Sequence, residues 1–187
     1  MENLFFDKKE LKYCGENVII GKTVRIRKPQ EVIIGDNVII DDFTYIPCAL
    51  EIGCYTHIGA NCSFIGGPGK VKIGSFVNIA PSCQIVTASN DYYGGELVGP
   101  AIPKKFSGEA IVEPIEIGDF VLLACNTTIL PGSILPEGMA TGAFTLVKKQ
   151  EYKEWSLYVG IPCKYMSKRD GVKIKESAQH IFNEKDL

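Results

Sequence analysis

The chain has 187 residues, 45% of them hydrophobic, and a formal net charge of −2. That length supports one well-buried core with a terminal appendage rather than two large domains. The near balance of charge excludes the broad basic field that nucleic acid or an anionic membrane surface would need.

In chain order, the opening MENLFFDKKELKYCGEN mixes acidic and basic residues and has no apolar run long enough for a secretory leader or a membrane span. The expected compartment is the cytoplasm. Residues 2 to 13 are expected to make a short helix that covers the end of the structure following them. The seven cysteines (Cys14, Cys48, Cys54, Cys62, Cys83, Cys125, Cys163) are odd in number and include no C-x-x-C pair. They read as reduced thiols, with no metal site expected.

A period of six then dominates. Stepping from Ile34 gives Ile40, Ile46, Ile52, Ile58 and Phe64; after Gly66-Gly67-Pro68-Gly69 the ladder resumes at Ile73, Ile79 and Ile85, and again at Ile117, Leu123, Ile129 and Leu135. Glycine follows the aliphatic residue at 35, 53, 59, 74 and 118, and small or β-branched residues recur four positions after it. A helix repeats near 3.6 and a flat strand at 2, so six requires a corner every six residues. Three such sides make a triangular coil, and coils stacked about 4.8 Å apart in parallel form a β-helix with the aliphatic residues in internal columns. The glycines suit corners where a Cβ would be crowded or φ is positive. About six coils are expected: Ile20 to Ile33, Ile34 to Glu51, Ile52 to about Lys72, Ile73 to Asn90, Ile117 to Ile134, and Leu135 onward. The whole chain, 1–187, is one domain, with the β-helix over about 16–150.

The ladder breaks at VTASNDYYGG. In the repeat frame Ser89 takes the small buried position and Asn90 the outward corner position. Residues from 91 to about 112 carry Gly, Pro and aromatic residues suited to an external loop. Tyr92, Tyr93 and Phe106 can stack on a sugar or base, and Lys104 with Lys105 can meet a pyrophosphate. Residues 151–187 read as a closing segment and a short C-terminal helix.

The pattern [Ile/Leu/Val]-Gly-x-x-[small]-x, over about residues 16 to 165, resembles the hexapeptide-repeat acyltransferases. The resemblance implies a left-handed parallel β-helix. The segment Ile117 to Met166, closing on Gly160, Pro162 and Lys164, is similar to the part of the sugar acetyltransferases of this class that holds coenzyme A, which implies acetyl-CoA as cosubstrate here. Ala124, Gly142 and Ala143 are small enough to wall a pantetheine groove, and Lys148, Lys149, Lys164, Lys168 and Arg169 can supply charge to its phosphates. Many relatives place a histidine general base where this chain has Asn90. With His57 and His180 alone, this chain has no histidine there and too few for a three-histidine zinc site.

An amine acceptor needs a base less than a hydroxyl does, because part of it is neutral near pH 7. Asn90 and Asp91 can orient such an amine, as an Asn-Asp pair does in relatives that acetylate nucleotide-linked amino sugars. His57 and Asn78 share the outward position at other corners and would meet Asn90 and Asp91 only across the subunits of a homotrimer. Cys62 and Cys83 fall in one buried column and are assigned to packing. The expected function is acetyl transfer, by direct reaction in a ternary complex, to the amino group of a nucleotide sugar used in surface glycans such as lipopolysaccharide. The alternatives are a sugar O-acetyltransferase with Asp91 or His57 as base, and a catalytically silent scaffold.

Overall fold

Each six-residue step folds as a very short strand and a corner, and three steps close one coil of a parallel β-helix. The computed structural model describes residues 2–90 and 92–185. The first face stacks Tyr13–Cys14, Val32–Ile34, Ala49–Ile52, Lys70–Ile73, Ile115–Ile117 and Ile134–Leu135 in parallel. The second stacks Ile19–Ile20, Ile39–Ile40, His57–Ile58, Asn78–Ile79, Leu122–Leu123, Ala140–Thr141 and Ser156–Val159, and ends on the antiparallel strand Lys164–Lys168. The third stacks Arg25–Ile26, Tyr45–Ile46, Ser63–Ile65, Gln84–Val86, Thr128–Ile129 and Leu146–Val147. The register pairs aliphatic with aliphatic, for example Ile40 with Ile58 and Ile58 with Ile79. Every ladder residue from Ile34 to Leu135 is buried in one continuous core.

The corners explain the rest of the hexapeptide. Their left-handed residues are not the glycines that follow the ladder residues but Asn, Ser and aromatic residues with φ between 47° and 65°, joined by Gly132 and Gly138 at the same corner position. The repeat glycines are required by crowding alone: a Cβ on Gly53 would lie 2.6 Å from the carbonyl carbon of Gly74 in the next coil. The residue after the glycine supplies an acceptor to the coil below it. Asp36 accepts from the Glu16 amide at 2.8 Å, and Asp119 accepts from the Ser75 amide at 2.7 Å. A left-handed conformation costs a bulky residue about 1–2 kcal/mol. Stacking offsets it at Tyr55, Phe76 and Phe120, whose rings lie parallel with centroids 5.0 and 5.2 Å apart.

Three sequence expectations are revised. The solenoid begins at Tyr13 rather than near residue 16, giving six coils and a partial seventh at Ser156–Val159. Residues 2–13 contain one 3-10 turn, Lys8–Glu10, capped reciprocally by Asp7 and Glu10, rather than a helix along their length; Phe6 and Leu11 are buried against the first coil. Ser89 does not close the core: Thr87 is fully buried, its hydroxyl donating to the carbonyls of Ile65 and Gly66. The ladder ends there because Ala88–Ser89 pairs antiparallel with Ile111–Val112 outside the coil stack.

At the other end, Arg169 donates to the carbonyls of Phe120 and Gly138 at 2.9 Å each. The helix α1 (Val172–Lys185) follows it and buries Ala178. Among the described residues, no helix is long and apolar enough to cross a membrane.

Candidate active site

The excursion is an arm at the corner between the third and first faces. The Ala88–Ser89 and Ile111–Val112 strands form its base. Below them, Glu113 donates its amide to the Thr87 carbonyl, and its carboxylate pairs with Lys149 at 2.6 Å. Asn90 is exposed at the start of the arm. Asp91 lies outside the described residues. Tyr92 and Tyr93 are 86% and 102% exposed. Lys104 and Lys105 sit on the 3-10 turn Lys104–Phe106, with the Lys105 ammonium 4.7 Å from the Phe106 ring centroid.

His57 and Asn78 are register partners on the outer side of the second face. That face lies across the coil from the corner carrying the arm, so a single chain does not bring His57 or Asn78 to Asn90. A residue not singled out in the sequence joins them. Asp41 Oδ2 lies 2.8 Å from His57 Nε2, and Asn78 Oδ1 lies 3.1 Å from His57 Nδ1. Asp41 was legible only as an anomaly: it follows a ladder isoleucine, where the equivalent positions at 21, 59, 80, 124 and 142 hold Gly or Ala.

Ala124 and Gly142 stack on successive coils at the corner between the second and third faces, with Ala143 beside them exposed. The residues that follow them in the chain contribute to a cavity of about 220 Å³ lined by Asn126, Thr128, Phe144, Thr145, Leu146 and Ile161. Space is short on the other side, where a Cβ on Gly142 would come within 2.8 Å of Val159 Cγ1. Pro162 and Lys164 are exposed just beyond Ile161, and Lys148 is exposed at the neighbouring corner. Lys149 differs from the other lysines in already holding Glu113.

Cys48, Cys62, Cys83 and Cys163 are buried in the core, while Cys125 is exposed. Cys62 and Cys83 point inward, their Sγ atoms donating to the carbonyls of Ala80 and Ala124. The hydrogen bond to Cys62, followed by burial, raises the Cys83 thiol, and burial pushes Cys48 up to about 11. Neither is a poised nucleophile. Among the described residues, no three His, Cys, Asp or Glu side chains gather where they could hold a metal ion.

No protein-family model matches the chain. A dTDP-4-amino-4,6-dideoxy-D-glucose acyltransferase of Escherichia coli is 35% identical over 162 residues, 84% of this chain and 82% of that one. The N-acyltransferase AntD of Bacillus cereus, solved with dTDP and 3-hydroxybutyryl-CoA, superposes with a TM-score of 0.89 over 99% of this chain and 100% of its own, at 29% identity. A variant of AntD solved with dTDP-4-amino-4,6-dideoxyglucose and coenzyme A gives a TM-score of 0.85 over 98% of this chain and 100% of that one, at 27% identity. A maltose O-acetyltransferase of Clostridium difficile, at 21% identity and a TM-score of 0.58 over 87% of this chain and 72% of its own, shares the fold. With a repeat ladder buried throughout and relatives matched along nearly its whole length, the chain belongs to the hexapeptide-repeat acyltransferases of left-handed parallel β-helix fold.

Proposed function

We propose that this protein transfers an acyl group, most simply acetyl, from acyl-CoA to the amino group of a dTDP-linked amino sugar. The observation that carries the reading is the match along 84% of the chain to an acyltransferase named for such a sugar. The superposition on AntD, solved with both a nucleotide amino sugar and coenzyme A, supports it.

In this reading the sugar amine, once neutral, attacks the thioester carbonyl directly, and the protein supplies position and proton management. Asn90 and Asp91 orient the amine at the root of the arm. Tyr92 and Tyr93 stack on the sugar or base, and Lys104 and Lys105 face the pyrophosphate. The pantetheine arm runs past Ala124, Gly142 and Ala143, with Lys148, Pro162 and Lys164 toward its nucleotide end. Lys149 serves the site indirectly, by bracing the arm through Glu113.

The working form is a homotrimer. Its threefold arrangement sets the arm of one subunit beside the second face of its neighbour, so that His57 and Asn78 complete the acceptor site. The reaction belongs in the cytoplasm, on a nucleotide sugar destined for a surface glycan such as lipopolysaccharide.

The test is product analysis with acetyl-CoA or 3-hydroxybutyryl-CoA and dTDP-4-amino-4,6-dideoxyglucose, beside a hydroxy-sugar acceptor. An alkali-stable amide is expected; ester formed only with the hydroxy acceptor overturns the reading. Asn90→Ala and Asp91→Ala should each lower kcat by about tenfold or more, and unchanged rates in both would return the pair to turn formation.

A further inference from the structure

Three polar side chains stand together where the repeat elsewhere selects apolar or small ones. Along the outer side of the second face, register places Ile19, Ile39, His57, Asn78, Leu122, Ala140 and Leu157 in one column. His57 and Asn78 are its only polar members. Two residues further along, Gly21, Gly59, Ala80, Ala124 and Gly142 form a column of small residues that Asp41 interrupts. Asp41, His57 and Asn78 belong to three successive coils, so the imidazole spans the coil spacing, with Asp41 at one nitrogen and Asn78 at the other. The His57 and Asp41 side chains are 43% and 45% exposed, which leaves the cluster open to a substrate from one side.

The hydrogen bonds constrain the chemistry. A carboxylate can only accept, so His57 Nε2 carries the proton toward Asp41. As the Asn78 amide stands, its Oδ1 accepts from a protonated Nδ1, the arrangement that suits the charged ring. In the neutral ring Nδ1 holds the lone pair, and a half turn of the Asn78 amide offers it an N–H donor at the same place. Asparagine can therefore partner both charge states, which neither an aspartate nor a leucine could do. The other titratable or charged groups nearby are committed elsewhere: Asp42 accepts from Thr23, with Lys22 near it, and the Cys62 thiol faces inward.

We propose that Asp41 is a positioning residue that holds His57 as the proton acceptor of the acyl transfer, with Asn78 following the charge of the ring. This rests on the acyl-transfer reading above. The amine lone pair forms the C–N bond, and the C–S bond breaks with its electron pair on sulfur. The proton shed by nitrogen goes to His57 Nδ1 and onward to the coenzyme A thiolate, which restores the neutral ring.

The test measures kcat for the wild-type protein, His57→Gln and Asp41→Asn at pH 6.5 and pH 9, with the acyl donor and amino sugar named above. Circular dichroism at both pH values checks that each variant is equally folded at the two, and the ratio of its rates then does not depend on how much of it is folded. His57→Gln should lose about 10²-fold at pH 6.5 and most of that loss should vanish at pH 9, where the acceptor ammonium deprotonates without help. Asp41→Asn should fall between, with KM for both substrates nearly unchanged. Nitrogen-15 NMR of the free protein should show the Nε2-protonated tautomer in the wild type and a mixture in Asp41→Asn. Rate ratios equal to wild type in both variants would overturn the proposal while leaving acyl transfer intact. Absence of any amide product from the wild-type protein would instead remove the reading on which it rests.

Discussion

At the residue scale, the corners are governed by single side chains answering single amides. The Asp42 carboxylate accepts the backbone N–H of Thr23 at 2.8 Å and its hydroxyl at 2.7 Å, and these bonds, the backbone one first, hold its pKa below the usual carboxylate value. A depressed carboxylate contributes stability that is present above its unfolded pKa and lost as pH falls through its folded value. Asp42→Asn should therefore be less stable than wild type at pH 7, and the gap in urea midpoint should close as the pH drops below the ordinary carboxylate range. A gap that stays constant with pH would show that the charge is not what Thr23 uses. The same scale explains why Asp41 escaped notice in the sequence. A carboxylate beside another carboxylate looks like solvated surface until the next coil sets an imidazole above it.

At the scale of elements, the aromatic stack and α1 depend on each other. Tyr55, Phe76 and Phe120 are stacked, and Trp155 reaches back over Gly138 to cover Phe120 at 5.8 Å. Gly138 has to be glycine there, since a Cβ would lie 2.3 Å from the indole. Beside this stack Phe76, Phe120, Ile174 and Ala178 line a cavity of about 400 Å³ under the helix. Phe120→Ala should cost about 2 kcal/mol and release α1, seen as faster hydrogen exchange across residues 172–185 than in the β-helix. Exchange unchanged in α1 would mean that Arg169 and Ala178 suffice to dock it. The six-residue ladder made the strands legible because burial at every sixth residue has few solutions. The aromatic corner was not legible: Tyr55, Phe76 and Phe120 look like ordinary outward positions, and their left-handed backbone appears only when neighbouring coils bring the rings together.

At the scale of the whole molecule, the distribution of apolar surface points outward from the single chain. The arm exposes Leu97, Val98 and Phe106 beside its tyrosines, and the second face exposes Ile19 and Ile39. Hydrophobic surface on two separate parts of one chain favours head-to-tail association, which closes into a ring when the rotation allows. Sedimentation equilibrium is expected to give about three times the 20.5 kDa chain mass, and a variant with the arm cut back to a short Gly-Ser link should fall to lower mass and lose activity. A monomeric, fully active wild type would contradict this.

The amino-acid sequence by itself determined the β-helix and its core, because a sixfold aliphatic period is a local repetition that each coil must bury in the same way. It also marked the break near residue 90 and the small-residue corner at Ala124, Gly142 and Ala143. Only the tertiary structure decided that Thr87, not Ser89, closes the core, that Lys149 pairs with Glu113, and that Asp41, His57 and Asn78 form one hydrogen-bonded line. Those facts depend on which residues lie one coil apart, and the insertions at Gly66–Gly69 and over residues 88–112 change that spacing in ways no period in the sequence records.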